Sequence, residues 1–433
     1  MEYLSQLQAS LPSLATSLRA AEWTPLTARW TYGLGGLAAY LLLVRVLRYR
    51  RRDAMVRKYN YPTRSAMAAM TIEEATAINR QIIHLEFPIV YNKSLFFALF
   101  KTYGIPSISK LLAATTQLSS PATASKRAVD TEVLIDEMIL QTPTSPRTID
   151  SIARVNFLHE HYRKSGRILD SDMLFTLSLF AMEPIQWISR YEWRELTLLE
   201  RYAIGVFWKD LGTAMEIPYD ALKPYYQGSE YDDGLAWLEA LDRWSQDYER
   251  EHMVPAETNK LLADGTLDIL LYNIPVVLRG FALNFIMPLL SPRLRKSMLM
   301  DTPHPAIFDY LLPSILAIRR LTLRYFCLPR PEFLKVMYIT DEADPATGRY
   351  HANYYIAHPW YVKPTFWSRW GPEALMTRLV GGVVPGDGGA KYCPAGYSIP
   401  ELGPTYQRGK GEKKMAETKG KVREMRGCPI VGL

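Results

Sequence analysis

The chain contains 433 residues, of which 48% are hydrophobic and 12% aromatic, enough for a large folded body with an internal core. Its formal net charge of +7 arises mainly from basic clusters at residues 45–58 and 408–426, and the remainder is nearly neutral. This distribution argues against nucleic acid as a partner and favours an anionic membrane surface. Three cysteines are too few for a disulfide framework and indicate a reducing compartment.

A charge-free apolar run begins at Trp30. It extends to residue 44, and with Arg45 reaching the membrane surface it predicts a transmembrane helix over residues 30–47, about 27 Å long. That length suits the thin bilayer of the endoplasmic reticulum (ER). Four arginines at positions 48 and 50–52 follow the run, whereas a cleaved signal peptide carries its positive charge before the run. The positive-inside rule therefore predicts a single-pass protein with a short lumenal segment at residues 1–29 and a cytosolic remainder.

Helical periodicity then dominates, so residues 48–383 are predicted to form an all-α cytosolic domain. Thr71-Ile-Glu-Glu74 is a capping box that opens a helix ending at His84. The apolar segment 267–290 contains Asp268 and Arg279, which argue against a second span and predict a buried or membrane-skimming helix. Other predicted helices cover residues 87–103, 107–116, 148–162, 170–188, 197–214, 234–250 and 308–326.

Three segments are predicted to be less regular. Residues 119–146 are rich in Ser, Thr and Pro and are interpreted as a surface excursion or lid with a short helix at 131–138. Residues 335–340 and 350–356 flank a turn and predict a small β-hairpin. Residues 384–433 form a basic tail rich in Gly and Pro, which we expect to be extended or poorly ordered.

The helix predicted at 148–162 carries two histidines with different surroundings. Thr148 is its candidate N-cap, and His159 lies in the apolar stripe above Val155. His161 points about 160° further round, beyond the edge of that stripe. A histidine on a buried face needs a partner for its ring nitrogens. Two interpretations follow for His159: a core histidine bonded to a carbonyl group, or an axial ligand of a haem iron.

The run His159-x-x-Tyr162-Arg163, a turn, an apolar helix and a Trp187-Ile188 ending resemble the haem-binding core of the rubber oxygenase (latex-clearing protein) superfamily. The resemblance is greatest to its fungal, ER-bound branch. It implies an all-α, globin-like haem core with haem b, held noncovalently because the chain lacks a Cys-x-x-Cys-His motif. It also implies O2-dependent cleavage of an isoprenoid C=C bond to carbonyl products. Members of the fungal branch shorten the farnesyl chain of a phthalide in mycophenolic acid biosynthesis.

The resemblance also implies site residues. His159 would ligate the iron, with His161 in reserve, and Arg154, Tyr162 and Arg163 would contact the haem, the two arginines at its propionates. In the superfamily a distal helix supplies a Lys, a Thr and an Arg four residues before the Thr. Lys110, Thr115 and Thr116 are the candidates here, although Leu111 and Leu112 stand where the arginine is expected. The residues themselves leave another interpretation open, that these threonines only bond carbonyls of their own helix.

Other functions are less well supported. His159 and His161 face apart on a helix and do not form a metal pair. Asp232-Asp233 is followed by Gly234-Leu-Ala, which lacks the third acid of a prenyltransferase magnesium motif, and the glycine-rich stretches do not link a strand to a helix. The leading prediction is therefore a membrane-anchored haem oxygenase acting on a prenylated small molecule. The alternative is a haem-less scaffold or prenyl-lipid-binding protein at the ER surface, and no oligomeric state is predicted.

Overall fold

The computed structural model describes residues 25–226, 233–300 and 304–427. All regular elements in these ranges are helices, which confirms the predicted all-α class. The α-helices, numbered in chain order, are α1 (Pro25–Arg48), α2 (Arg50–Tyr59), α3 (Arg64–Met67), α4 (Ile72–Gln81), α5 (Pro88–Thr102), α6 (Pro106–Ala114), α7 (Ala124–Leu140), α8 (Pro146–Lys164), α9 (Asp170–Tyr191), α10 (Leu198–Ala214), α11 (Gly234–His252), α12 (Glu257–Leu270), α13 (Val276–Ile286), α14 (Pro292–Ser297), α15 (Ile307–Tyr325), α16 (Phe366–Trp370), α17 (Pro372–Leu379) and α18 (Glu412–Met425).

Short helical segments of other types occur between them. A π-helical segment, Ile82–Glu86, follows α4. The 3-10 segments are Asp220–Tyr225, Met287–Leu289, Glu332–Leu334, Gly389–Tyr392, Ile399–Glu401 and Thr405–Gln407. In the described ranges, β-structure is limited to three isolated bridges, two antiparallel and one parallel, and one of the antiparallel bridges joins Ile339 to Ala352. The predicted hairpin is therefore reduced to a single bridge, because the backbone groups on either side form turns and irregular contacts instead.

The chain divides into two compact units. The first comprises residues 1–54 together with Leu321–Pro329, and the second comprises Met55–Arg320 and the residues from Arg330 onward. In the first unit, α1 contains the predicted span and is long and apolar enough to cross a membrane. The Tyr40 hydroxyl on α1 donates a 2.8 Å hydrogen bond to the carbonyl oxygen of Phe326. The predicted lumenal segment lies outside the described residues, except for its last five positions, which are the start of α1.

The helices of the second unit pack in pairs around an apolar core. α5 packs along α9, α10 packs on α4 and α11, and α7 packs against α8. The predicted capping box at Thr71 is present and is completed by Glu74, and a second box, formed by Thr197 and Glu200, opens the helix predicted at 197–214. Where α10 crosses α11, a Cβ on Gly205 would lie 2.1 Å from a backbone oxygen of α11. That crossing therefore requires glycine on α10.

Residues 119–146 are not a surface excursion. They contain α7, a 17-residue helix rather than the short one predicted at 131–138, and most of its second half is buried. The composition misled the prediction, because the polar residues lie in the loop before α7 and in its first turns. Val133, Leu134 and Met138 pack into the core behind them.

Two further predictions are wrong in part. The basic tail was expected to be extended, yet Glu412–Met425 forms α18, which packs on α8. Tertiary contacts account for this helix: Met415 and Val422 are buried, and two ion pairs link it to α8, with Lys419 at 2.7 Å from Asp150 and Lys414 at 3.2 Å from Glu160. The apolar segment 267–290 is split between α12 and α13, and α13 has no buried residue, so the buried alternative does not hold for it.

Candidate functional site

α8 carries the central histidine of the site. The helix begins two residues earlier than predicted: Ser145 is the N-cap and its side chain accepts a hydrogen bond from the backbone N–H of Arg147. Thr148 is already inside the helix, where its hydroxyl donates to the carbonyl oxygens of Glu137 and Thr142. The predicted faces of the helix are confirmed, because His159 points into a cavity and His161 is exposed.

The cavity has a volume of about 280 Å³ and is enclosed mainly by α5, α7, α8, α9 and α10. Its wall is predominantly aliphatic and aromatic, which suits a greasy ligand with a few polar contacts. Representative wall residues are Leu95, Phe100, Met138, Val155, Leu158, Leu177, Phe180 and Trp208. Among these, Phe180 and Trp208 stack with ring centroids 5.7 Å apart.

The His159 imidazole is neutral at physiological pH. Burial lowers its pKa to about 4, and the positive charges of Arg127 and Arg163 act in the same direction. Its Nδ1 atom is buried without a hydrogen-bond partner among the described residues. A buried nitrogen without a partner costs free energy unless a ligand satisfies the ring, and a neutral imidazole is the form that binds a metal. The interpretation of His159 as a core histidine bonded to a carbonyl is not supported at Nδ1.

Arg127 and Thr131 are cavity-lining residues that the sequence analysis did not identify. Both line the cavity from α7, and a guanidinium nitrogen of Arg127 donates to the hydroxyl of Thr131. Burial lowers the pKa of Arg127, while the negative charge of Asp130 raises it. The signal was available, since an arginine four residues before a threonine is the spacing expected of the distal helix. It was overlooked because this stretch was interpreted as a surface excursion.

The three distal candidates chosen from the sequence, Lys110, Thr115 and Thr116, do not line the cavity. Lys110 is exposed on α6. The Thr115 hydroxyl donates to the carbonyl oxygen of Leu112, and the Thr116 hydroxyl donates to that of Thr115, each at 2.8 Å. The alternative that these threonines bond local carbonyls therefore describes their contacts. The bonds reach three residues back and one residue back, rather than the four typical of a helix interior.

The two propionate candidates also have other partners. Arg154 is fully buried, and its guanidinium donates to the backbone oxygens of Leu402, Gln407 and Lys410. Arg163 forms an ion pair with Asp170 at 3.0 Å and donates to two carbonyl oxygens after α10. The Tyr162 hydroxyl lies 3.3 Å from that of Tyr406. These three residues tie α8 to neighbouring segments and are not part of the cavity wall.

Two carboxyl groups on α7, those of Glu132 and Asp136, also line the cavity. Burial raises the pKa of Asp136 well above its usual range, and the nearby Glu132 and Glu137 carboxylates raise it further. Burial also raises the pKa of Glu132, against the opposing charge of Lys93. Both shifts favour the neutral acid, which keeps this side of the cavity low in charge.

In the part of the chain that the structure describes, no group of three or more His, Cys, Asp or Glu side chains could hold a metal ion. A haem iron makes a smaller demand on the protein, since the porphyrin supplies four nitrogens and a single side chain can serve as the axial ligand. His159 is the histidine on the cavity wall. The arrangement therefore offers one neutral imidazole, one buried cation and an apolar enclosure.

The fold and the cavity define the class as an all-α protein with a buried apolar chamber and an N-terminal helix that could cross a membrane. No protein-family model matches the chain. It is 44% identical over 429 residues to the ER-bound oxygenase mpaB' of Penicillium brevicompactum, which covers 99% of this chain and 98% of that protein.

Two further relatives carry a similar name. The ER-bound oxygenase mpaB of the same species is 42% identical over 393 residues, covering 91% of this chain and 90% of the relative. The ER-bound oxygenase mpaB of Penicillium roqueforti (strain FM164) is 46% identical over 288 residues, covering 66% of this chain and 96% of the relative. The chain belongs to the MpaB family of ER-bound oxygenases.

Proposed function

We propose that the protein is a haem-dependent oxygenase, anchored in the ER membrane, that uses O2 to cleave a carbon–carbon double bond of an isoprenoid chain. The observation that carries the proposal is the His159 ring, a neutral imidazole on a packed helix whose buried Nδ1 has no partner among the described residues. The names of the relatives, all ER-bound oxygenases, support oxygen chemistry and the ER location.

The residues of the cavity fit a haem b group. His159 would be its axial ligand, the apolar wall would enclose the ring, and the Arg127 guanidinium would face an anionic oxygen or carboxylate. When bound, haem supplies the binding and activation of O2. The unpartnered imidazole nitrogen and the buried cation are both groups whose burial costs free energy until such a ligand is present.

The chain's own residues exclude water, hold the substrate and place charge. Leucine, phenylalanine and methionine side chains form the wall against which an isoprenoid chain packs, and they keep bulk water out of the reaction. We assign to Arg127 and Thr131 the distal roles that the resemblance gives to an arginine and a threonine four residues apart. The Thr131 hydroxyl accepts a hydrogen bond from Arg127 and so orients that cation.

The substrate we propose is a farnesylated phthalide, cleaved to carbonyl products on the route to a compound of the mycophenolic acid type. The apolar cavity suits such a chain, and the substrate class follows from the family resemblance. The same apolar wall would also serve a haem-less prenyl-lipid-binding protein, but that alternative gives no role to the unpartnered His159 nitrogen. For the membrane arrangement we propose a single pass, with the N-terminus in the lumen and the catalytic domain in the cytosol.

The test is an absorption spectrum of the full chain purified in detergent, with His159→Ala and His161→Ala variants. We expect a Soret band and stoichiometric haem in the wild type and in His161→Ala, and loss of both in His159→Ala, because only His159 faces the cavity. O2 consumption and carbonyl products from a farnesylated phthalide should be lost with the band.

Two results would contradict the proposal in different ways. A band lost only in His161→Ala would place the ligand on the exposed face and overturn the geometry described above. A folded wild-type protein that binds no haem even after supplementation, yet binds a farnesylated phthalide, would favour the lipid-binding alternative.

A further inference from the structure

α13 is an apolar helix without a buried face. Its eleven residues include two valines exposed by 76% and 89% (Val276 and Val277) and Phe281, exposed by 55%. Arg279, its one charged residue, donates to the backbone oxygens of Ile274 and Tyr272. Exposed apolar surface of this kind on a folded protein marks a contact with another apolar phase. At eleven residues the helix is too short to span a bilayer but long enough to lie in its interface.

The part of α15 within the second unit extends this surface. Phe308 at its start contacts Phe281 of α13, with ring centroids 5.2 Å apart. Phe308 itself is buried, whereas Ile307, Tyr310 and Ile318 are each more than 60% exposed. Their spacing places these three side chains on one side of the helix. α13 and α15 together therefore present a joined apolar surface, which we call the α13/α15 face.

Charge around this face identifies its partner. Between residues 269 and 300 the sequence contains four basic residues and no acidic residue. Two of them, Arg293 and Lys296, are exposed on α14, directly after α13. Asp309 of α15 lies 2.8 Å from a ring nitrogen of His304, so its carboxylate is hydrogen-bonded within the protein. Apolar side chains beside basic ones match the acyl chains and anionic headgroups of a lipid bilayer, and a helix that could span a membrane occurs in the same chain.

The chain immediately before α13 adjoins the wall of the cavity. Asn273 donates a 2.8 Å hydrogen bond to the carbonyl oxygen of Ile356, which lines the cavity, and Ile269 in the preceding helix also lines it. The α13/α15 face therefore begins a few residues from the cavity wall. A substrate dissolved in the bilayer would meet the protein on this side.

We propose that the α13/α15 face is a membrane-binding surface of the second unit, which lies in the headgroup region of an anionic bilayer beside the cavity. It is a contact additional to α1 and involves no second span. The proposal rests on the proposed membrane location, but it requires neither haem nor turnover. The membrane-binding face and the haem chemistry can therefore be refuted independently of one another.

In the experiment, the full chain is reconstituted in phosphatidylcholine vesicles made anionic with about 30% phosphatidylserine. An environment-sensitive fluorescent amino acid replaces Val277, or in a matched control Gln246, which is exposed on α11. Doxyl-labelled lipids and aqueous iodide serve as quenchers. We expect at least twofold stronger lipid quenching and at least twofold weaker iodide quenching at position 277 than at position 246.

A charge variant separates contact with the face from anchoring by α1. In the position-277 reporter, Val276→Asp with Phe281→Asp should lower lipid quenching to the level of the control while the protein still co-floats with vesicles. Arg293→Gln with Lys296→Gln should weaken quenching only in anionic vesicles. Unfolding is not expected, since none of these side chains is buried.

The negative outcomes are distinct. Co-flotation with equal iodide quenching at both positions would overturn the α13/α15 face and leave the anchor intact. Failure to co-float would overturn both the face and the proposed membrane location. Protection at position 277 that depends on protein density and not on the lipid quencher would identify a second copy of the chain as the occupant, which also overturns the proposal.

Discussion

The Thr131 hydroxyl accepts a hydrogen bond from the Arg127 guanidinium, so removing this single hydroxyl tests whether the position of Arg127 matters for turnover. Thr131→Val keeps the shape of the side chain but removes the oxygen that accepts from the guanidinium. We expect turnover to fall by at least about tenfold with haem content near that of the wild type, since a cation placed for catalysis would lose its position. Single-turnover kinetics, normalised to the haem content of each sample, measure the expected fall in rate.

Thr115→Val is the matched control for that prediction. The Thr115 hydroxyl bonds the carbonyl oxygen of Leu112 and does not line the cavity. Turnover in this variant should be unchanged. A fall in Thr115→Val equal to that in Thr131→Val would show that the distal site lies on α6, where the sequence placed it, and not on α7.

Asp136 provides a prediction about pH. Its pKa is raised well above the usual value by burial and by nearby carboxylates, so the native protein keeps a proton that the unfolded chain releases. Stability should therefore fall as pH rises from about 4, where an unfolded aspartate ionises, towards the raised pKa. Asp136→Asn removes this titration and should flatten the decline by up to about 1.4 kcal/mol per pH unit.

Urea unfolding at pH 5 and pH 8 measures the Asp136 effect. Asp264→Asn is the control, because Asp264 is half exposed and paired with Lys260 at the surface. Its slope with pH should match the wild type. If Asp136→Asn and the wild type had the same slope, the Asp136 carboxyl would be ionised in the folded protein.

At the scale of elements, the fit of the C-terminal segment against α8 can be tested at two glycines. Gly409 and Gly411 both have positive φ, at 67° and 90°. A Cβ on Gly411 would lie 2.5 Å from the ring of Phe157, whereas a Cβ on Gly409 would meet nothing within 4 Å. We expect both alanine variants to be destabilised because a side chain disfavours a positive φ. Gly411→Ala should lose about 1–3 kcal/mol more of the free energy of unfolding through the clash with Phe157.

Thermal unfolding of the two variants measures the difference. Gly411→Ala should also bind haem less tightly, because Phe157 is two residues from His159 on the same helix. Equal destabilisation in Gly409→Ala and Gly411→Ala would mean that Phe157 moves aside without cost, and that the segment does not constrain α8.

The elements also show what the sequence can and cannot predict. The capping boxes at Thr71 and Thr197 are local signals, and both helices start where predicted. The inner face of α8 follows from periodicity alone, which placed His159 correctly. α7 was predicted too short because polar residues fill the loop before it and its first turns. α18 was missed because its polar, glycine-containing sequence packs on α8 through tertiary contacts, such as the Lys419–Asp150 ion pair, that no local pattern contains.

The site was predictable only in part for the same reason. His159 lies on a helix whose buried face can be predicted from the spacing of its apolar residues. Arg127 could be recognised as a cavity residue only after the structure showed that α7 packs beside α8. Arg154 and Arg163 are charged residues near the histidine in sequence, yet their guanidinium groups turn to backbone carbonyls. Proximity in sequence therefore identified the helix of the site and not its partners.

For the whole molecule, the charge distribution around α1 predicts how the chain is oriented in the membrane. With an epitope tag before residue 1 or after residue 433, trypsin added to intact microsomes should remove the C-terminal tag and leave the N-terminal tag protected, because four arginines follow the apolar run. Detergent should expose both tags. Protection of the C-terminal tag would reverse the orientation and place the site in the lumen.

The three carbonyl contacts of Arg154 bear on the order of events during synthesis. Its partners lie 248, 253 and 256 residues further along the chain. At about 5–20 residues per second, a ribosome needs roughly 12–50 s to reach them after it has made α8. Until then this fully buried cation has no acceptors from the C-terminal segment. The helix that carries His159 therefore cannot make these three contacts until residue 410 has been synthesised. On the proposed function, haem would meet a fully packed His159 helix only after that point.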